Sequence, residues 1–360
     1  MEKSKKIVSL FVIVVLMLSL TGCGSQQPQV KTGEPELHNI TDMAGREVVV
    51  PKEINKVFCV SPVGTIFVYT LNPDLLVGWN YELNSAEKKY ILPQYHSLPN
   101  LGGWYAKATC NIEELLKVNP DAIFSVGYLD VEQANEIQQQ TGIPVVMIDA
   151  DNFTTLDKAY EFAGKLLNLE DRANELGTYC RETVNDIQAK AATIPEDQKV
   201  RVYYAEGASG LETDPKGSRH VETLDIVGGL NVAEVDLKGG MGMTPVSLEQ
   251  VLAWNPEVII SWNEAQGGYY SKMLTDSKWE SIAAIKNKKV YAVPSGPFNW
   301  FDRPPSVNRI IGLKWLGNLL YPETYQYDMA KEAKEFYKKF YHYDLTDEEL
   351  SSLLKDAGGF

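Results

Sequence analysis

Two segments of the chain carry the same pattern of hydrophobic and polar positions, 136 residues apart. Residues 111–125 read NIEELLKVNPDAIFS, and residues 247–261 read SLEQVLAWNPEVIIS. In each segment the apolar residues first recur at helical spacing, Asn-Pro then ends the helix, and a short β-branched run follows. Each segment therefore predicts a helix, a tight turn and a buried strand, and the repeat predicts two halves of similar architecture.

The residues around both segments predict strands and helices in alternation. A strand at 56–60 and a helix ending near Leu71 precede the first segment. A strand at 199–204 and a helix at about 221–227 precede the second segment, and another helix and strand follow each of them. Because strands that alternate with helices form parallel sheets, the pattern predicts the α/β class with two parallel-sheet lobes.

The region between the two halves has a different pattern. Residues 155–194 contain no strand signal, and the apolar positions from Ala173 to Ala191 recur three or four apart before Pro195 closes the segment. This spacing is typical of a long amphipathic helix. We therefore predict one long rigid helix between the lobes, with a ligand cleft between them, and domain bounds at 39–154, 155–195 and 196–360.

The N-terminus predicts export. Basic residues precede a mostly apolar stretch at 7–20, which is too short to span a membrane and is typical of a signal peptide. The following Leu-Thr-Gly-Cys, ending at Cys23, resembles the bacterial lipobox, in which the cysteine is lipidated. We predict a lipoprotein signal peptide at 1–22, a polar tether at 23–38, and anchoring by lipid to the extracytoplasmic face of the cell membrane. An ordinary thiol at Cys23 is the alternative.

Composition and charge narrow the function further. With 34 Lys+Arg against 48 Asp+Glu, the formal net charge is −14. This balance argues against nucleic acid as a partner, because such binding depends mainly on basic side chains that neutralise phosphates. The other cysteines, Cys59, Cys110 and Cys180, stand at scattered spacings. We predict that they are buried single thiols and assign them no function.

Two α/β lobes joined by a long helix, on an exported and lipid-anchored chain, resemble the substrate-binding proteins of ABC importers in the helical-backbone class. Members of that class serve iron-siderophores, haem, cobalamin and related ligands. The local matches stand in the family's order and together cover roughly residues 40–320. They are an opening hairpin at 42–51, two glutamate helices at 111–121 and 246–256, and a turn at 228–232.

The resemblance implies that Glu113 and Glu249 dock onto arginines of a permease dimer, one glutamate per subunit. The repeat supports this role independently, because two acidic residues at equivalent positions suit a partner with two-fold symmetry. The alternative is simple capping, since negative charge stabilises the start of a helix.

Ligands of open α/β sheets bind beyond the carboxyl ends of the strands. In the first lobe these ends lead to Ser61 and to the pair Trp104 and Tyr105, and in the second lobe to Arg219 and His220. We predict that these residues line the cleft, although Arg219 and His220 also fit a solvated surface.

The loop after the last predicted strand supplies three further candidates. It holds Trp300, Phe301 and Arg303 among several prolines, which keep it out of regular structure. We predict that Trp300 faces Trp104 across the cleft and that Arg303 binds an anionic group bidentately. The alternative is that Trp300 and Phe301 fold back into the core.

The predicted ligand is a metal chelate of the iron-siderophore, haem or corrinoid type. The chain has only four histidines and no close pair of them, which argues against capture of a bare transition-metal ion. The alternative is a small oxyanion such as molybdate or tungstate, and a remote alternative is a surface receptor without a permease. Catalytic motifs such as Gly-x-Ser-x-Gly are missing, so we predict a binding protein without enzymatic activity. We also predict that it is a monomer and needs no cofactor.

Overall fold

The structure is a computed structural model, and it describes residues 36–127, 129–150, 152–237 and 242–359. Its strands are β1 Leu37–Thr41, β2 Glu47–Pro51, β3 Val57–Cys59, β4 Ala122–Val126, β5 Val145–Ile148, β6 Arg201–Ala205, β7 Glu212–Thr213, β8 Leu230–Asn231, β9 Thr244–Pro245, β10 Val258–Ser261 and β11 Val290–Ala292. Its α-helices are α1 Pro62–Leu71, α2 Ser85–Tyr90, α3 Ile112–Val118, α4 Val131–Thr141, α5 Leu156–Leu167, α6 Glu170–Ala191, α7 Glu222–Ile226, α8 Leu248–Trp254, α9 Tyr270–Met273, α10 Ala283–Lys286, α11 Arg309–Leu320, α12 Met329–Tyr341 and α13 Asp347–Leu354. Short 3₁₀ helices lie at Pro73–Leu75, Pro93–Tyr95, Glu196–Gln198, Arg219–Val221 and Glu264–Gln266.

Each lobe is built on a parallel sheet. The first lobe has the strand order β3-β4-β5, and the second has β11-β10-β6-β8. The central strands β4 and β10 are buried along their whole length, as expected for strands covered by helices on both faces. The α/β fold with two parallel-sheet lobes is therefore confirmed.

The two copies of the predicted repeat fold alike. Helix α3 ends at Asn119 and leads into β4, while α8 ends at Asn255 and leads into β10. Both asparagines adopt the left-handed conformation, with φ of 51° and 42°, which asparagine tolerates better than most residues. The shared Asn-Pro thus stops both helices in the same way, and the following β-branched residues enter the sheet.

The predicted linking segment contains two helices rather than one. Helix α5 ends at Asn168, which adopts the left-handed conformation with φ of 56°, and α6 begins two residues later. The two helices pack so closely at Gly164 that a side chain there would collide with Ala173. The prediction of a single unbroken helix is therefore wrong in detail. The longer of the two helices, α6, forms the second part of the segment.

The C-terminal helices form a second connection to the first lobe. The ring of Tyr337 in α12 lies edge-on to that of Tyr90 in α2, with centroids 5.6 Å apart. His342 Nε2 lies 3.1 Å from the carbonyl oxygen of Tyr69 in α1. One hydrophobic cluster runs through these contacts and includes residues of both sheets. Buried packing therefore restrains the lobes in addition to the α5–α6 pair.

Residues 1–35, including Cys23, lie outside the described residues. Strand β1 begins at Leu37, within the last two residues of the predicted tether. In the described part of the chain, none of the helices combines the length and the apolar character needed to cross a membrane.

Candidate functional site

A cavity of about 620 Å³ lies where loops from the carboxyl ends of β3 and β11 meet. Both lobes contribute to its wall, as the rule for open α/β sheets predicts. The first lobe supplies Ser61, Pro62, Val63, Tyr81, Glu87, Tyr105 and Ala106, and the second supplies Arg219, His220, Arg303, Pro304 and Pro305.

Ser61 brings the start of a helix to this cavity. It precedes Pro62 at the N-terminus of α1, and its backbone carbonyl accepts a hydrogen bond from the N–H of Thr65 at 3.1 Å. Its hydroxyl oxygen is buried and has no hydrogen-bond partner among the described residues. A helix N-terminus carries partial positive charge, so this wall combines a buried hydroxyl with a dipole that favours an anion.

Asn80 holds the first-lobe wall in place. Its amide nitrogen donates to the carbonyl oxygens of Cys59 and Gly102, both at 2.8 Å. Its own backbone carbonyl accepts from the hydroxyl of Tyr105 at 3.1 Å. Sequence reasoning missed Asn80, because these partners are more than twenty positions away and follow no local pattern.

Tyr81 and Glu87 add an acidic group to the cavity that sequence reasoning also missed. The Tyr81 hydroxyl donates to Glu87 Oε1 at 2.7 Å, and the backbone N–H of Asn84 donates to Oε2 at 2.8 Å. Burial raises the pKa of Glu87 above its ordinary value, although both hydrogen bonds oppose this shift. Asn84 through Glu87 form a capping box, a signal that could have located α2 but not its place in the wall.

Arg219 and His220 lie in a short 3₁₀ helix on the second-lobe side. The guanidinium of Arg219 donates from Nη1 to the carbonyl oxygen of Gly127, in the first lobe, at 3.3 Å. His220 Nδ1 lies 3.1 Å from Asp302 Oδ2. The structure thus brings both predicted residues to the cavity, beside Ser61 and Tyr105.

Arg303 lines the cavity but is bound to carboxylates of its own lobe. Its guanidinium forms ion pairs with Glu206 at 2.8 Å, Asp214 at 3.0 Å and Asp302 at 3.3 Å. All three carboxylates are buried. The prediction that Arg303 holds an anionic ligand therefore needs correction, because buried acidic residues of the protein already occupy its donors.

Asp214, His220 and Asp302 are close enough together to be considered for a metal ion. Their nitrogen and oxygen atoms lie within 4.8 Å of one another. Arg303 pairs with both carboxylates, so the guanidinium already supplies positive charge at this position. The two carboxylates therefore hold Arg303 in place, and Asp302 also pairs with His220.

Trp300 and Phe301 lie in the core and do not line the cavity. Both side chains are fully buried, with Trp300 edge-on to Tyr337 and Phe301 against Tyr204. A side chain at Gly312 would collide with the carbonyl oxygen of Trp300, so α11 covers this part of the loop directly. The predicted contact between Trp300 and Trp104 is therefore wrong. Trp104 packs edge-on to Phe58 and is not among the cavity residues.

Glu113 and Glu249 are exposed at equivalent positions of the two lobes. They occupy the first turns of α3 and α8. The pKa of Glu249 lies below its ordinary value, because its carboxylate accepts hydrogen bonds from its own backbone N–H and from Ser247. The geometry thus agrees with capping and also leaves both carboxylates accessible to a partner.

A fold of two α/β lobes around a cleft, with a cavity at the strand ends that both lobes line, is that of a solute-binding protein. The family model for periplasmic binding proteins matches residues 71–297. The chain belongs to this family, and it is the substrate-binding protein of an ABC transporter. The family predicted from the sequence is confirmed.

Several known proteins are similar along most of the chain. A solved ABC transporter solute-binding protein from Sulfurospirillum deleyianum has a TM-score of 0.82 and 31% identity, covering 88% of this chain and 99% of its own. The molybdate-binding protein MolA of Haemophilus influenzae is 27% identical over 331 residues, which is 84% of this chain and 90% of MolA. Its molybdate-bound structure covers 86% of this chain and 99% of its own, with a TM-score of 0.69 and 25% identity. The ABC transporter substrate-binding lipoprotein YvrC of Bacillus subtilis, itself uncharacterized, is 25% identical over 329 residues, 87% of this chain and 96% of YvrC.

Proposed function

We propose that this substrate-binding protein captures a compact oxyanion of the molybdate and tungstate class in the cavity between its lobes. The observation that carries the proposal is the donor set there: the guanidinium of Arg219 and the buried Ser61 hydroxyl at the start of α1 line one cavity. Charge-assisted hydrogen bonds and helix N-termini are the usual means of holding an oxyanion. Similarity to MolA, which binds molybdate, supports the same ligand class.

A metal chelate of the iron-siderophore, haem or corrinoid type is the second candidate. The observation in its favour is the cavity volume of about 620 Å³, which lies in the range of roughly 300–1,000 Å³ typical of sites for larger small molecules. The burial of Trp300 and Phe301 counts against this candidate, because they are the aromatic side chains that were expected to contact such a ligand.

Calorimetric titration of the purified protein separates the two candidates. Molybdate, tungstate, sulfate, a ferric siderophore, haem and cobalamin would each be titrated into the ligand-free protein. We expect saturable binding of molybdate and tungstate and no comparable affinity for the chelates. Tight binding of one chelate, with no binding of molybdate or tungstate, would contradict the proposal in favour of the second candidate.

Replacement of Arg219 by alanine should weaken molybdate binding. Loss of a hydrogen bond to a charged group costs about 1.5 to 3 kcal/mol, or roughly 10- to 150-fold in affinity, and calorimetry would measure it. Arg181→Ala is the matched control, because this exposed arginine pairs only loosely with Asp157, at 3.6 Å, on the linking helices. Equal affinities of Arg219→Ala and wild type would exclude Arg219 from the site.

Arg303→Ala is a less specific test than Arg219→Ala. Its removal would leave Glu206, Asp214 and Asp302 buried beside one another without the guanidinium that pairs with them. Removing one partner of a buried ion pair is strongly destabilising. A loss of binding in that variant would therefore not separate ligand contact from damage to the fold.

We also propose that the protein is anchored by lipid at Cys23 and delivers its ligand to a permease dimer. The family supports an extracytoplasmic location, and the residues up to Cys23 match the lipobox. Glu113 and Glu249 are the proposed docking groups, because the repeat presents them equivalently on α3 and α8.

Cys23→Ser should release the protein from membranes while leaving it folded. The described elements all lie beyond residue 36, so loss of the lipidated cysteine removes the anchor without touching the core. Fractionation of cells followed by immunoblotting would measure the distribution. Cys110→Ser serves as a control for thiol loss, and retention of the Cys23→Ser variant in the membrane fraction would argue against lipid anchoring.

A further inference from the structure

Three buried carboxylates surround one guanidinium behind the cavity wall. Glu206 follows β6, Asp214 follows β7, and Asp302 lies in the loop after β11. Each has 0% exposure. Arg303 donates to Glu206 Oε1 at 2.9 Å from Nε and to Asp214 Oδ2 at 3.0 Å from Nη2. One positive charge therefore meets three acidic groups, which is a costly arrangement if all three are ionised.

Among the described residues, no group donates a hydrogen bond to the buried Oε2 of Glu206. Glu206 Oε1 and Asp214 Oδ2 both lie against the same nitrogen, Arg303 Nη2, at 2.8 and 3.0 Å, so the two carboxyl groups are neighbours. Two ionised carboxylates offer only acceptors to each other, so a hydrogen bond between them requires a proton on one. Both oxygens of Asp214 already accept hydrogen bonds, Oδ1 from the Ser218 hydroxyl at 2.7 Å and Oδ2 from Arg303 Nη2 at 3.0 Å.

The surroundings of Glu206 favour the protonated form. The first cause is burial, which together with the negative charges of Asp302 and Asp214 raises the pKa of Glu206 to about 10, although Arg303 opposes the shift. The titratable and charged groups around Glu206 are Tyr203, Tyr204, Glu212, Asp214, Asp302 and Arg303, and His220 pairs with Asp302 next to them. Arg303 is the cation that pairs with Glu206 in this part of the described chain.

We propose that Glu206 and Asp214 share one proton in the folded protein. We propose further that this proton lowers the negative charge behind the cavity wall, so that an anionic ligand can bind in the cavity. With the proton, the three carboxylates and Arg303 carry one net negative charge; without it they carry two. The second negative charge would lie directly behind a guanidinium that lines the cavity, so it would repel an oxyanion there. The ligand part of this inference rests on the proposed oxyanion function, whereas the shared proton does not.

Glu206→Gln separates the protonated from the ionised form of this residue. Glutamine keeps an acceptor for Arg303 and supplies an N–H for Asp214, so it imitates a protonated Glu206. Infrared difference spectra at neutral pH should show a protonated-carboxyl band in wild type that this variant lacks. Asp214→Asn should lose the same band, because its amide can donate to Glu206 in place of the proton.

Stability gives an independent measurement. Between pH 4.5, the ordinary pKa of glutamic acid, and about 10, the folded protein holds a proton on Glu206 that the unfolded chain releases. Folding then takes up a proton, so wild-type stability falls with rising pH in this window. We expect Glu206→Gln to melt above wild type at pH 8 and the difference to shrink toward pH 4.5. Glu161→Gln is the control, because Lys165 lowers the pKa of that exposed residue, and no such gain is expected.

The effect of this proton on ligand binding would be measured by titrating the protein with molybdate at pH 7 and at a pH above the pKa of Glu206. We expect similar affinities for wild type and Glu206→Gln at pH 7, and wild-type binding at least about tenfold weaker than that of the variant at the higher pH. An unchanged carboxyl band, together with a Glu206→Gln variant that melts below wild type at every pH, would overturn the shared proton. Absence of any oxyanion binding would instead refute the proposed function, while the infrared and melting data would still decide the protonation of Glu206.

Discussion

Simultaneous replacement of Glu113 and Glu249 by alanine should abolish ligand uptake by intact cells while ligand affinity stays within a few-fold of wild type. Both carboxylates are exposed at the starts of α3 and α8 and neither lines the cavity. A charged contact that is desolvated in an interface is worth about 2 to 5 kcal/mol. Because the two lobes present equivalent groups, loss of both removes one contact with each half of a two-fold permease.

The experiment requires cells that lack their own copy of the gene and express each variant at the same level. Uptake of labelled molybdate would be measured beside calorimetric affinity and the melting temperature of the purified proteins. Glu170→Ala with Asp171→Ala is the matched control, because it removes two exposed acidic residues from the start of α6, outside the repeat. Normal transport by the Glu113 and Glu249 double variant would count against docking and leave the capping role.

Trp300→Ala should destabilise the protein by about 3 to 5 kcal/mol, the usual cost of truncating a buried aromatic side chain. Trp300 is fully buried in the cluster that joins both lobes. Its indole N–H points to the Tyr337 hydroxyl at 3.4 Å, so the variant loses packing and leaves a cavity next to α12. The midpoint of urea unfolding should fall with little change in slope.

Ligand affinity distinguishes this core role from the ligand contact that the sequence suggested. We expect the folded Trp300→Ala variant to bind molybdate as tightly as wild type at a temperature well below its unfolding transition. Trp104→Ala should cost less stability, because Trp104 is only half-buried. A Trp300→Ala variant of normal stability that binds molybdate poorly would indicate that Trp300 contacts the ligand after all.

Local patterns were sufficient for the elements and their order. The Asn-Pro steps at 119–120 and 255–256 end helices because asparagine can adopt left-handed backbone angles and proline restricts the residue before it. The residues that follow are β-branched and apolar, so they form buried strands in both copies. The break at Asn168 was invisible, because the apolar spacing continues through it and its left-handed angle has no comparable sequence signal.

The general position of the cavity also followed from the sequence. Ser61, Tyr105, Arg219 and His220 lie in segments that the alternation of strands and helices brings to one edge of each sheet, and the structure places them around the same cavity. The direction of side chains within the 294–308 loop did not follow. Whether an aromatic residue there points to the cleft or the core depends on α11 and α12, which cover it from distant parts of the chain.

The sequence by itself determined the two-lobed α/β fold, the repeated glutamate helices and the edge where a ligand would enter, because each depends on residues close together in the chain. Only the tertiary structure decided which charged side chains lie next to one another. Glu206, Asp214 and Arg303 come from separate segments that follow β6, β7 and β11, and the tertiary fold brings them into contact. Protonation of Glu206 depends on its burial among those groups, and burial is a property of the packed molecule rather than of any local segment.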